Sequence, residues 1–200
     1  MTLEEAKADL LRRMKITAGS RFNAAERLES KDRTYTWLGV AATIAVITLT
    51  VIPLAIHQDD KTNAYIGIVA VVSSVVILAS NLMQYSSSYA LNAARHHQCA
   101  LEINACARKL RLLVPFTFEQ LQVISEEYDN LLARHGTNHQ TVDFERYKRE
   151  HSWEFEPTTK PAASVWRLLL LPQSTTEVVG TIIGFLLTAA TLWVVSVYLK

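Results

Sequence analysis

Three stretches of this chain, residues 34–56, 64–83 and 178–199, contain no Asp, Glu, Lys, Arg or His. Proton relays, voltage sensors and midplane ion-binding transporters are built on ionisable groups inside the membrane. Their absence from all three stretches argues against active transport. Cysteine is scarce as well, with only Cys99 and Cys106. An i,i+7 pair on one helix is about 10 Å apart, too far for a disulfide. The two thiols are expected to be reduced core residues on one helix face. Neither sign of charge is in excess, the net charge being +1. Nothing there suggests bulk nucleic-acid binding, and no direct nucleic-acid contact is expected.

Catalytic signatures are missing too. There is no Walker glycine loop, no G-x-G-x-x-G and no H-E-x-x-H. Ser152, the one serine near two histidines in sequence, forms no triad. His96, His97 and Cys99 are a poor metal set, because adjacent histidines on a helix point about 100° apart. His135 and His139 straddle Gly136 in a loop. Exposed histidines account for both groups. The chain is therefore expected to be no enzyme and to hold no cofactor or metal. Residues 1–33 are polar and charged, without a short apolar stretch and cleavage site, so the first apolar run is expected to persist in the mature protein.

What the chain has is length without charge. Each uncharged run has about the 20 residues that a helix needs to cross a hydrocarbon core. Lipid is a simpler solvent for three such runs than one core of 200 residues. Charge flanking the runs is lopsided. Eight of the 20 Lys and Arg precede the first run, one lies between the first and second, ten between the second and third, and one follows. The positive-inside rule then places residues 1–33 and 84–175 in the cytoplasm. The loop at 57–63 and the last residue face the other side.

Polar residues inside the runs fall on faces. Thr36, Thr43 and Thr50 recur every seven residues in the first. Ser73, Ser80, Asn81 and Gln84 share a face of the second, continued by Ser87 and Ser88. Such stripes are either glue between helices or the wet wall of a conducting pathway. At the start of the third run, and just before it, Thr176, Gly180, Gly184 and Thr188 follow a small-xxx-small rhythm, which lets helix backbones approach closely.

The polar segments read as helices. Leu3, Leu10, Met14, Phe22, Ala25 and Leu28 give a partial helical period over residues 3–33, with an interruption expected at Gly19. The second run continues without a breaker to Val114, and Pro115 ends it. Two long helices should then pack side by side. Asn-Ala-Ala at 23–25 and 92–94, and Asn-Ala-Cys-Ala at 104–107, suggest a close seam with Asn fixing its register. Thr117 and Gln120 make a capping box for a helix to His135, whose Leu121, Ile124, Tyr128 and Leu131 form an apolar stripe. A short charged helix is expected within 141–153. Residues 165–171 suit either a membrane interface or a buried helix.

The expected fold is an all-α membrane protein. A transmembrane helical hairpin (34–83) continues into a cytoplasmic helical bundle (1–33 and 84–163). An interfacial segment and a C-terminal third transmembrane helix follow (164–200). The RFNAAERL sequence at 21–28, Trp37 at the membrane entry, the tight hairpin and the arm at 89–113 together resemble the SLATT family over residues 5–170. SLATT proteins are two-transmembrane effectors of prokaryotic conflict systems, and the similar branch is the one associated with reverse transcriptases and retrons. The resemblance implies an inner-membrane effector of abortive-infection, antiphage defence that is triggered and then permeabilises the membrane. It carries no catalytic residues over, and the third run is additional to its two-span core. The implied partners are the lipid bilayer, further copies of the chain, and a trigger. That trigger is either a reverse transcriptase with its non-coding RNA and DNA or a nucleotide-signal system. The competing expectation is a non-conducting anchor or scaffold that recruits a cytoplasmic partner.

Overall fold

Helices account for every regular element among the residues that the computed structural model describes, which are 2–55, 60–115, 117–136 and 138–155. They are α1 (Leu3–Ala55), α2 (Asp60–Ser87), α3 (Tyr89–Leu112), α4 (Phe118–His135) and α5 (Thr141–Glu150), followed by a single 3-10 turn, Ser152–Glu154. The third apolar run, the small-residue rhythm of Thr176, Gly180, Gly184 and Thr188, and the segment 165–171 lie outside the described residues.

Two of the expected helix boundaries are corrected. α1 passes through Gly19 without a break. A lone glycine weakens a helix by only about 1 kcal/mol, which 53 residues of continuous helix absorb. The second long helix, in contrast, is interrupted. Ser88 takes the left-handed conformation (φ 47°) and separates α2 from α3. Its backbone N–H and its hydroxyl both donate to the Tyr85 carbonyl, at 3.2 and 3.3 Å. Serine offers this local alternative to the helical ladder.

The described residues form two units, one of residues up to Ser30 and from Ala90 onward, the other of Lys31–Tyr89. The first is a helical bundle. Ala6, Leu10, Met14 and Ala18 of α1 recur every fourth residue and are buried. They join Cys99, Ala100, Ile103, Cys106, Ala107 and Leu110 of α3 in one core. Leu121, Ile124, Tyr128 and Leu131 of α4 complete it, the stripe expected from sequence. The Thr117 and Gln120 capping box is formed reciprocally, and Gly136 closes α4 in the left-handed conformation. Both cysteines are free and buried, and desolvation raises each thiol above its ordinary pKa. The seam is rich in alanine as expected, and two of its asparagines are placed elsewhere than across the α1–α3 seam. The Asn23 amide donates to the Asp143 carbonyl of α5, and Asn104 is exposed.

The second unit is an antiparallel pair, the later half of α1 against α2. Leu49, Ile66, Ala70 and Ser73 are its buried residues, with Gly39, Ala42, Ser80 and Gln84 half-buried along the same seam. Most of its other described apolar side chains are exposed. The most apolar 18-residue window of α1 has mean hydropathy 1.6 with 6% of it buried; that of the stretch Asp60–Leu112 has 2.3 and 17%. The core helix of a soluble protein hides such a window. These do not, so the pair spans a membrane.

Candidate functional site: a polar crevice in the apolar hairpin

Polar side chains gather at one end of this hairpin. The Gln84 amide donates to the Thr36 hydroxyl at 3.0 Å and lies 3.5 Å from the Asp32 carbonyl. One turn further along, Gly39 faces Asn81; a Cβ on Gly39 would lie 3.2 Å from Asn81 Oδ1. Thr36, Gly39, Val40, Thr43, Ile44, Asn81 and Gln84 line a crevice of about 340 Å³ on the flank of the pair. Glycine leaves the opening that Asn81 borders.

The other polar residues of the stripes are placed differently. Thr43 and Thr50 are exposed and bond their own helix, to the Gly39 and Ile47 carbonyls at 2.8 Å each. Ser80 bonds the Val76 carbonyl at 2.9 Å, and Ser73 is buried in the seam. So Thr36, Thr43, Asn81 and Gln84 come together. Thr50, Ser73 and Ser80 do not share the crevice. A hydroxyl that bonds its own backbone tolerates lipid; an amide has no such local answer. Among the described residues Asn81 makes no hydrogen bond.

A second polar group, not expected from the sequence pattern, lies in the helical bundle. Ser20, Arg21 and Asn23 of α1, His96 of α3 and Asp143 of α5 are all buried. Arg27 holds the Asp143 carboxylate with two bonds, 2.8 and 3.0 Å, and the Gln140 backbone N–H donates to it at 3.0 Å. Tyr147 lies against Gly19, where any Cβ would overlap its ring. The expectation of exposed histidines fails here. His96 is 6% exposed, His139 is half-buried, and neither Nδ1 has a partner. Burial, and then the Arg21 charge, hold both imidazoles below their ordinary pKa. His97 is exposed, and His135 bonds Glu102 at 3.1 Å. Among the described residues no three His, Cys, Asp or Glu converge to hold a metal.

The model of the SMODS and SLOG-associating 2TM effector domain, family 5, matches residues 3–196. The chain belongs to SLATT family 5. The match spans nearly the whole chain and is longer than the resemblance drawn over 5–170. It takes in most of the run 178–199. No curated protein and no solved structure matches the chain.

Proposed function

We propose that this SLATT protein is a triggered effector of antiphage, abortive-infection defence that permeabilises the inner membrane, with its helical bundle in the cytoplasm. The observation that carries the reading is the Thr36, Asn81 and Gln84 crevice in a hairpin whose two apolar stretches, 34–56 and 64–83, carry no charge. An exposed amide in lipid favours a partner that can hydrogen-bond it. A second copy of the hairpin supplies one, and several copies place such faces around a lumen. The family's association with SMODS and SLOG supports a trigger that comes from outside the chain. A reverse transcriptase with its non-coding RNA and DNA is the other candidate source. The chain acts physically on the bilayer, without catalysis or cofactor.

One observation favours the anchor reading. Gln84 is spent on Thr36, and Thr43, Thr50 and Ser80 are satisfied within their own helices. That is how packing glue behaves. Purified full-length chain in vesicles with a potassium gradient, at rising protein-to-lipid ratio so that assembly does not wait on the trigger, separates the two. An effector that permeabilises discharges the gradient, read by a potential-sensitive dye, and an anchor leaves it intact.

A further inference from the structure

α5 is held to the bundle in an unusual way. Val142 and Tyr147 are its only buried apolar side chains. Phe144 is half-buried against Phe155, and the other contacts that hold α5 are polar. Asp143 is clasped by Arg27, and Arg146 pairs with Glu26 at 2.7 Å. Beyond α5, Glu154 pairs with Lys15 and its carbonyl accepts from Arg12 at 3.4 Å. An element with so little apolar burial sits at the low end of local stability. Beside its clasp lie two imidazoles with orphaned Nδ1 atoms, and the hydroxyls of Ser20 and Tyr147 are buried without partners too. Buried polar groups left unmatched are costly and ask for an explanation.

We propose that α5 is a proton-released latch, clasped to α1 through Asp143 and Tyr147 at neutral pH and freed when His96 and His139 are protonated. Among the described residues, the charges around these imidazoles come from α1, α5 and the segment before α5. Arg21 and Arg27 on α1 oppose a proton on His96, His139 opposes it as well, and Asp143 on α5 favours it. His139 meets Arg21 and Asp143. Asp143 has little to spare, since its two oxygens already serve Arg27 and Gln140. A proton that recruits Asp143 therefore competes with the clasp, and one that does not leaves a buried cation beside Arg21. Both histidines are depressed in the latched state. The latch is intact above the ordinary histidine pKa of about 6.5 and weakens as pH falls below it. The Lys15 hydrogen bond holds the Glu154 carboxyl below its ordinary pKa, so that contact keeps its charge across this window. The inference rests on the packing of the bundle alone and stands whether or not the hairpin conducts.

Hydrogen exchange on the full chain in lipid nanodiscs tests it. After correction for intrinsic rates, amides of Thr141–Glu150 should exchange at least about tenfold faster near pH 5.5 than near pH 7.5, while α4 stays protected. His96→Gln with His139→Gln should keep α5 protected at both. Equal protection of wild-type α5 at the two pH values overturns the latch. So does acid release that persists in the double variant, which would assign the sensor to His151, stacked on Tyr147 with ring centroids 4.2 Å apart. Where the double variant loses α4 protection at neutral pH, His139→Gln alone is read. A reduced pH response supports the latch, and an unchanged one overturns it.

Discussion

Gly19 has no room for a methyl group, and the reason is a residue more than 100 positions away. The Tyr147 ring occupies the space where its Cβ would stand. Gly19→Ala must push that ring out, at a cost of about 1–3 kcal/mol for overpacking a buried site. The expected result is faster hydrogen exchange over α5 with α4 unchanged. Full protection of α5 in the variant would mean that Tyr147 does not pack there. From sequence, Gly19 reads as a breaker, because glycine signals either a break or a close approach and only the partner decides which. His96 was misread for the same reason. It sits three and four residues before Cys99 and Ala100, on the buried face of α3, but the polar groups around it come from α1, α5 and the segment before α5. Glu102 illustrates the opposite sign of linkage. Its bond to His135 holds the carboxyl below its ordinary pKa. That contribution is present above the ordinary carboxylate value and is lost as pH falls through the depressed one. Glu102→Gln should flatten the acid limb of the bundle's melting temperature against pH; an unchanged limb would remove this pair from the account.

At the scale of the element, α4 was the most legible part of the chain. Its cap, its stripe and its stop are all local, written within residues 117–136. Thr117→Ala removes the hydroxyl that accepts from Gln120 N–H, and should cost about 1 kcal/mol of bundle stability by denaturant melting. A loss near zero would show that the cap is dispensable. The break at Ser88 was not legible, since no glycine or proline marks it and serine is tolerated in helices. α5 was legible as a short charged helix, but its role was not. Its one buried carboxylate, Asp143 at 2% exposure, is neutralised by Arg27 from the other end of the sequence. Arg27→Met leaves that charge buried and unpaired, at a cost of about 3–5 kcal/mol. Because α5 has so few apolar contacts, the cost should appear as local release of α5 before the bundle melts. Global unfolding with α5 still attached would contradict this.

At the scale of the whole molecule, the division into an apolar hairpin and a polar bundle was plain from where charge is absent. What the hairpin does was not, because Thr, Ser, Asn and Gln at helical spacing serve packing and conduction alike. The proposed orientation follows from the basic residues and can be checked directly. In intact cells, an impermeant thiol reagent should label Asp60→Cys and spare Asn138→Cys. Cys99 and Cys106 are buried and give little background. The reverse pattern would invert the topology. The central claim is that the crevice of Thr36, Asn81 and Gln84 takes part in permeabilising the membrane. The most direct measurement is membrane-potential dye fluorescence in cells induced to express either the wild type or Asn81→Leu with Gln84→Leu. Both are matched for the amount of protein in the membrane. An apolar crevice raises the barrier to water and ions while easing insertion. The wild type should depolarise the cells and the double variant should not. Equal depolarisation by both at equal membrane levels would contradict the account.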